Sequence, residues 1–242
     1  MSNLATIAHD AGKLISFALR PRQTPWTSTE YTELLGRYEA DTQFRSIVDG
    51  VTEGLGMRIV DVTRNGFFLT ATEGSPFRLA ADDYKQNMSA QERVLHGVIQ
   101  VATAAFSFPK ADVLDQDDTV APAHITPAKL AEYIRKFAEA NAAGSPDEAN
   151  GDDSAERRAW RDALARAMTM ETSSGKESTR SLTGMCRHAL DFLESQGLMR
   201  VVHEENSVYQ GTTSYRIRLK YHAAHELLTL MRSTPALATT TP

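Results

Sequence analysis

The residues with the clearest chemical potential in this chain are six basic side chains near its carboxyl end. Two of them lie at or just before the start of a predicted helix, where free backbone N–H groups attract anions, and a third lies further along that helix. The other three alternate with apolar residues between positions 215 and 220, as side chains on one face of a strand do. The six are Lys176, Arg180, Arg187, Arg216, Arg218 and Lys220. We interpret them as a surface for the DNA backbone; for the last three, a solvated outer strand face is an equally good interpretation.

Sequence-specific recognition is not indicated, because no array of Asn, Gln or Arg stands out for contacts with base edges. Residue types that catalyse reactions or bind metals occur, but their spacing is unsuitable. Cys186 and His188 are two apart on a predicted helix and do not face each other. The histidines at 203, 222 and 225 lack a carboxylate or cysteine at a known metal spacing. The segment 173–176, SSGK, lacks the upstream glycine of a phosphate loop. We therefore predict no catalytic residue, metal or cofactor; an enzyme of unknown type stays an alternative that a stoichiometric copurifying metal would favour.

Helical spacing of apolar residues predicts the elements that position these side chains. We expect helices over 3–19, 27–38, 41–55, 92–108, 126–137, 155–170, 178–195 and 223–231. Asp41 and Thr126 are predicted N-caps. Thr27 is a third, with Glu30 completing a capping box and Trp26 packing on Tyr31.

Two predicted hairpins interrupt the helices. The first spans residues 57–69, with a type I′ turn at Asn65-Gly66. The second pairs a strand at 199–201 with a return strand at 215–220.

An internal repeat links the two hairpins. Residues 53–60 read EGLGMRIV and residues 195–202 read SQGLMRVV. Each segment follows an amphipathic helix and precedes a second strand, which is the element order of a winged helix. We predict a mostly α fold with short β-hairpins, an α+β class with tandem winged-helix domains. A single α+β domain with two unrelated hairpins is the alternative.

Composition and charge bound the function. The chain has 242 residues, 41% hydrophobic and 24% charged, with a net charge of −5. From residue 157 onward there are 12 Lys or Arg against 8 Asp or Glu, so this part carries +4 and the rest carries −9. A polyanion would favour the C-terminal part. The single cysteine and the lack of a long apolar run lead us to expect the cytoplasm, with nucleoid association.

The domain layout follows from these patterns. We predict an N-terminal winged-helix and dimerisation domain over 1–110, a helix with an acidic flexible linker over 111–154, a C-terminal winged-helix domain over 155–232 and a disordered tail over 233–242. The helix of the first copy carries three acidic residues and one arginine between 41 and 53, a net of −2 that repels phosphates. We therefore assign the first copy to self-association or partner binding.

Several stretches of the first half resemble MukE-like proteins. They are RYEADTQF at 37–44, the GLG helix end at 54–56, and GFFL at 66–69 running on to SPFRL at 75–79. The resemblance is strongest over residues 31–110 and closest to the small subunits of condensin-like plasmid-defence systems of the Wadjet type. The long acidic linker is a departure from the family pattern and puts the relative placement of the two halves in question.

This resemblance implies a kite subunit: a tandem winged-helix protein that forms a homodimer and binds the kleisin of a complex containing a separate SMC ATPase. We accordingly expect a non-enzymatic adaptor that contacts double-stranded DNA independently of sequence, in chromosome organisation or plasmid defence. A tandem winged-helix transcription regulator is the alternative, and a footprint on one defined site would favour it.

Overall fold

The computed structural model describes residues 2–109, 114, 121–142, 155–175 and 177–233. The elements are α1 (Ser2–Ala18), α2 (Thr29–Ala40), α3 (Thr42–Gly54), β1 (Met57–Thr63), β2 (Gly66–Ala71), α4 (Ala81–Tyr84), α5 (Ala90–Ser107), β3 (His124–Ile125), α6 (Pro127–Ala142), α7 (Ala155–Ala165), α8 (Leu182–Ser195), β4 (Met199–His203), β5 (Val208–Gly211) and α9 (Thr213–Ser233). Antiparallel pairing joins β1 to β2 and sets β3, β5 and β4 side by side in that order. The chain is a mostly helical α+β protein with small antiparallel sheets, as predicted.

The first hydrophobic core is built by α1, α2, α3 and the β1–β2 hairpin. The α3 stripe supplies Phe44 and Val48, both fully buried, and α1 supplies Leu14. Tyr31 of α2 extends into the hairpin, where its hydroxyl accepts a hydrogen bond from the Phe67 backbone N–H at 2.8 Å. The hairpin is thereby fastened to the helices by a buried polar contact as well as by apolar packing.

The second core contains the remaining long helices and the three-stranded sheet. Its buried residues include Leu95 and Ile99 of α5, Ile134 of α6, Leu190 of α8 and Tyr215 of α9. Helix α5 lies within the segment that we assigned to the N-terminal domain, yet its apolar face packs into this second core. Within the predicted helix and linker segment at 111–154, residues 111–113, 115–120 and 143–154 lie outside the described residues, as do residues 234–242 of the predicted tail at 233–242.

Two of the three predicted helix caps are confirmed. The Asp41 carboxylate accepts from the backbone N–H groups at the start of α3 at 2.9 and 3.0 Å, and the Thr126 hydroxyl accepts from the Lys129 N–H at 3.2 Å. The cap at Thr27 is wrong. Ser28 caps α2 instead, because residues 25–27 already form a short 3₁₀ turn. Trp26 is 73% exposed, so the predicted packing on Tyr31 is also wrong.

The first hairpin lies where predicted, but its turn is not type I′. Thr63 pairs with Gly66, which leaves Arg64 and Asn65 as the two turn residues. Neither of them has the positive φ that type I′ requires. Gly66, with φ 152°, is the first residue of β2, so the turn lies one position earlier than the predicted Asn65-Gly66.

The internal repeat corresponds to repeated local structure. A glycine with positive φ follows the last turn of each preceding helix, Gly56 after α3 (φ 65°) and Gly197 after α8 (φ 67°). The Met-Arg pair then begins a strand in both places. Both ladders shift register around the valine two residues after that arginine, at Val60 in β1 and Val202 in β4.

A threonine closes each hairpin in a similar way. Thr72 donates from its backbone N–H and from its hydroxyl to the Gly56 carbonyl, both at 2.8 Å. Thr212 donates from its N–H to the Leu198 carbonyl at 2.9 Å and from its hydroxyl to the Gly197 carbonyl at 2.8 Å. The shared letters of the sequence therefore specify one helix–strand corner, used twice.

The halves of the molecule contact each other directly. Arg58 of β1 donates to the Tyr221 hydroxyl of α9 at 3.1 Å, and Arg22 forms an ion pair with Glu194 of α8. Helix α9 thus reaches from the second core onto the first hairpin. Across the described part of the chain, no helix combines the length and the apolar character that crossing a membrane requires.

Candidate functional site

The predicted strand at 215–220 is helical, because these residues form the first turns of α9. Tyr215 and Leu219 are four positions apart and both pack against the second core, as one helix face does. Successive side chains on a helix are about 100° apart, so Arg218 points about 160° away from Arg216, whereas Lys220 lies about 40° from it. The strand-face stripe of Arg216, Arg218 and Lys220 is therefore wrong.

The environments of these three side chains differ accordingly. Arg216 is buried at 8% exposure, Arg218 is partly buried and Lys220 is exposed. A duplex bound to the outside of the protein would reach Lys220 far more easily than the two arginines.

The other three predicted DNA-binding residues occupy separate settings. Helix α8 begins at residue 182 and not at 178, because Ser181 is its N-cap and accepts from the Gly184 N–H at 3.0 Å. Arg180 precedes that cap and is exposed. Arg187 donates to the Ser207 hydroxyl at 2.7 Å and so ties α8 to the β4–β5 turn. Lys176 lies outside the described residues.

A cleft of about 1430 Å³ opens between the two halves. Its walls come from the segment after α1, from β2 and residues 77–79, and from β4, β5 and the start of α9. Six arginines and two glutamates supply its charge: Arg20, Arg22, Arg78, Arg200, Arg216, Arg218, Glu194 and Glu204. Glu194 is already paired with Arg22. The lining therefore has a large excess of positive charge, and a concave surface concentrates the resulting field.

One wall of the cleft is held in place by a buried amide. Arg200 donates from Nε and Nη2 to the Gln210 side-chain oxygen at 3.2 and 2.6 Å. Gln210 is buried and donates in turn to the Pro122 carbonyl at 2.9 Å. Because this chain of hydrogen bonds spans the β3–β5–β4 sheet, the Arg200 guanidinium is oriented before any ligand binds.

Arg218 is a partly buried cation of the cleft with one unsatisfied donor atom. Its Nε atom is enclosed and has no hydrogen-bond partner among the described residues. Burial lowers the pKa of the guanidinium below its usual value, yet arginine remains charged at neutral pH. The protein thus holds a desolvated cation without a described counter-ion, which is energetically unfavourable unless something else supplies an anion.

Exposed apolar side chains share this cleft with the arginines. Trp26, Phe77, Leu79 and Val201 line it and are 73%, 44%, 52% and 38% exposed. Isolated exposed apolar residues are ordinary, but apolar groups gathered in one concave surface mark a binding site.

A second cluster of titratable groups lies beneath α4 and is buried. The Tyr84 hydroxyl and His96 Nδ1 are 2.7 Å apart, and His188 Nε2 is 3.0 Å from the Tyr84 carbonyl. Burial, with a smaller contribution from Lys85, lowers the pKa of His96 to about 4. This cluster packs α4 against α5 and α8, and it presents no group to the cleft.

Cys186 and the histidines, whose spacing the sequence analysis found unsuitable for catalysis or metal binding, have different environments. Cys186 is fully buried, and desolvation raises the pKa of its thiol to about 12. His203 and His222 are exposed. Among the residues that the structure describes, no three or more His, Cys, Asp or Glu side chains are arranged to hold a metal ion.

Sequence reasoning missed the arginines that the first half contributes to the cleft. Arg20, Arg22 and Arg78 are far from Arg216 and Arg218 along the chain, and no spacing rule connects them. Trp26 gave no signal either, because the sequence predicted that it packs on Tyr31 and only the structure shows it exposed in the cleft. Comparison with known proteins adds nothing to this picture, because no family model, no curated protein and no solved structure matches the chain.

Proposed function

We propose that this protein is a tandem winged-helix adaptor without enzymatic activity, the kite-type subunit of an SMC complex, and that it binds a kleisin and the backbone of double-stranded DNA. The observation that carries the proposal is the helix–strand corner used twice, with a positive-φ glycine, a Met-Arg strand start, a register shift and a closing threonine in both copies. The kite assignment itself rests on the resemblance of residues 31–110 to MukE-like proteins.

The second half supports the winged-helix interpretation further. Its sheet order, β3–β5–β4, places the short strand that precedes the helices beside the return strand of the hairpin. A winged helix has the same arrangement of a minimal strand and a two-stranded wing around its helices. The first half shares the three helices and the hairpin.

Contact with DNA is supported by the charge of the C-terminal part and by its exposed cations. Arg180 and Lys220 both belong to the predicted set, and both are exposed in the structure. Neither belongs to a pattern suited to reading bases, so the proposed contacts are with phosphates.

The first prediction concerns this DNA contact. The double variant Arg180→Glu/Lys220→Glu should weaken binding to two unrelated duplexes by the same factor. It should also reduce the slope of log K against log salt by about 2, since each phosphate contact contributes about 0.9. Fluorescence anisotropy between 50 and 200 mM salt, roughly the range over which such losses are large, measures both quantities.

Lys129→Glu/Lys136→Glu is the matched control, because it changes the net charge by the same amount and both lysines are exposed on α6, where Lys136 pairs with Glu132 at 2.8 Å. It should leave DNA binding unchanged. An equal loss of DNA affinity in the control would show that the effect comes from net charge alone. Wild-type protection of one defined site, with weak binding elsewhere, would instead establish a transcription regulator.

The proposed protein partners, an SMC ATPase and a kleisin, are tested separately from DNA binding. A gene for a long coiled-coil ATPase beside the gene for this chain, and copurification of the co-expressed kleisin with it, would support the kite assignment. Sedimentation velocity of the purified protein tests the proposed homodimer. A tandem winged-helix monomer that binds DNA but no kleisin would refute the adaptor role and retain the fold.

A further inference from the structure

The cleft between the two halves has a chemical character that phosphate contacts on the exterior do not explain. Its arginines are recessed, and Arg216 and Arg218 are among the more buried cations of the described chain. A DNA duplex is a wide, convex polyanion that is bound by protruding cations. A bound duplex would therefore not contact Arg218 in the wall of the cleft.

The apolar side chains of the cleft lining favour a peptide over a phosphate backbone as the ligand. Trp26, Phe77, Leu79 and Val201 expose large apolar surfaces within the same cleft. A phosphate backbone covers none of this surface favourably. A peptide segment does so with its own apolar side chains, and tryptophan and arginine are the residues that most often dominate such protein contacts.

The positive charge of the cleft lining indicates that the ligand also carries negative charge. Arg218 has an enclosed Nε without a partner, and none of the described carboxylates pairs with Arg20 or Arg78 in a salt bridge. A carboxylate matches the planar guanidinium fork with two parallel hydrogen bonds, and such bonds are strongest where water is excluded. The ligand that satisfies Arg218 and covers the apolar surface therefore carries acidic and apolar side chains together.

We propose that this cleft is a docking site for an acidic, apolar segment of a partner protein, with one carboxylate of the segment bound to Arg218 and apolar side chains packed on Trp26 and Leu79. Arg200, already oriented by Gln210, provides a second cation in the same lining. The site goes beyond the proposed DNA contacts and uses different residues, so the two can fail independently.

The test uses the full chain and a fluorescein-labelled synthetic peptide in which aspartate alternates with leucine and phenylalanine. A second peptide replaces each aspartate by asparagine and keeps the apolar residues. Anisotropy titrations should give at least about tenfold tighter binding for the aspartate peptide, since a desolvated charge pair is worth at least that factor. Quenching or a spectral shift of Trp26 fluorescence, compared with Trp26→Phe, should report the same binding event.

Two cleft variants separate the charge from the apolar contribution. Arg218→Met should lower the affinity for the aspartate peptide at least about tenfold and leave the asparagine peptide unaffected. Leu79→Ser should weaken both peptides, because it removes apolar contact area. Arg180→Glu/Lys220→Glu should leave peptide binding unchanged while it weakens DNA binding. Circular dichroism and thermal melting confirm that each variant is folded.

Four outcomes would overturn the proposal. The first is the absence of aspartate-peptide binding to the wild type at millimolar concentration. The second is equal binding of both peptides. The third is displacement of the peptide by single-stranded oligothymidylate at lower concentration than by unlabelled peptide, since that result would assign the cleft to stacked bases and their backbone. A concentration-dependent dimer that Arg218→Met abolishes would make a second copy of the chain the occupant, and it would refute the peptide as well.

Discussion

Replacing Arg218 by methionine should make the free protein more stable. The perturbation removes a desolvated guanidinium whose Nε has no partner and keeps an unbranched apolar stem of similar length. Most substitutions of partly buried residues are destabilising, so an increase in stability is a distinctive outcome. Its physical origin is the removal of an uncompensated charge.

The magnitude follows from the environment of the group. A buried charged group without a hydrogen-bond partner costs about 1–3 kcal/mol. Arg218 is only partly buried, so the lower part of that range applies and we expect a gain of about 1–2 kcal/mol in the free energy of unfolding. For a chain of this size, a change of about 1 kcal/mol shifts the melting temperature by about 3 °C.

The assay is urea unfolding followed by circular dichroism, with scanning calorimetry for the melting temperature. Arg200→Met is the matched control within the same cleft. Arg200 makes two hydrogen bonds to Gln210, and Gln210 is only 4% exposed. Removing the arginine leaves the amide oxygen of Gln210 without its donors, so this variant should lose about 1–2 kcal/mol. The two arginines of one cleft should thus respond with opposite sign.

A clear loss of stability in Arg218→Met would refute the reasoning, because it would mean that Arg218 is satisfied in the free protein. The cleft proposal would then lose the observation that demands an anion. A complementary result is expected from ligand linkage: the aspartate peptide should raise the melting temperature of the wild type and have a much smaller effect on Arg218→Met.

Two further predictions concern the fold. In Gly197→Ala, the new Cβ would lie 1.8 Å from the Pro21 carbonyl oxygen at a φ of 67°, so we expect a loss of at least about 2 kcal/mol in urea unfolding. In Gly50→Ala, the Cβ meets nothing within 4 Å on helix α3, and we expect a gain of about 0.5–1 kcal/mol; a similar loss in both variants would contradict the close approach of Pro21 to Gly197. The last prediction is that the free energy of unfolding falls in acid because of His96. The pKa of this side chain is about 4 in the folded protein, compared with its ordinary value of 6.5. As the pH falls, His96 takes up a proton in the unfolded chain before it does so in the folded protein. The free energy of unfolding should therefore keep its full value above pH 6.5 and should fall by about 3 kcal/mol as the pH drops to 4. Urea unfolding between these pH values, compared with His96→Gln, isolates this contribution; equal slopes for the two proteins would show that His96 does not titrate as described.

Local features of the fold could be predicted because their causes lie within a few residues. The Asp41 cap needs only a carboxylate two and three positions before free N–H groups. The first hairpin needs only alternation and a turn. The Met-Arg repeat was likewise visible in the sequence, since both copies obey the same local rules of helix termination and strand start.

Local sequence rules failed where one pattern of apolar residues fits both a strand and a helix. The alternation at 215–220 suits a strand, but Tyr215 and Leu219 also satisfy helical spacing. The true return strand, Val208–Gly211, is four residues long and carries too little pattern to compete. Burial of both apolar residues in one core decided between the two, and burial is a property of the assembled molecule.

The sequence by itself determined the helical class, most element positions, the duplicated corner and the excess of cations in the C-terminal part. It also led to the prediction that Arg216 and Arg218 bind DNA phosphates, which stays a prediction, and it placed them on a strand face where the structure has a helix. Only the tertiary structure decided that these arginines face a cleft together with Arg20 and Arg22 from the first half. The physical reason is that helix and turn preferences act over a few residues, whereas a cleft and the desolvation of a charge within it arise only when distant segments pack together.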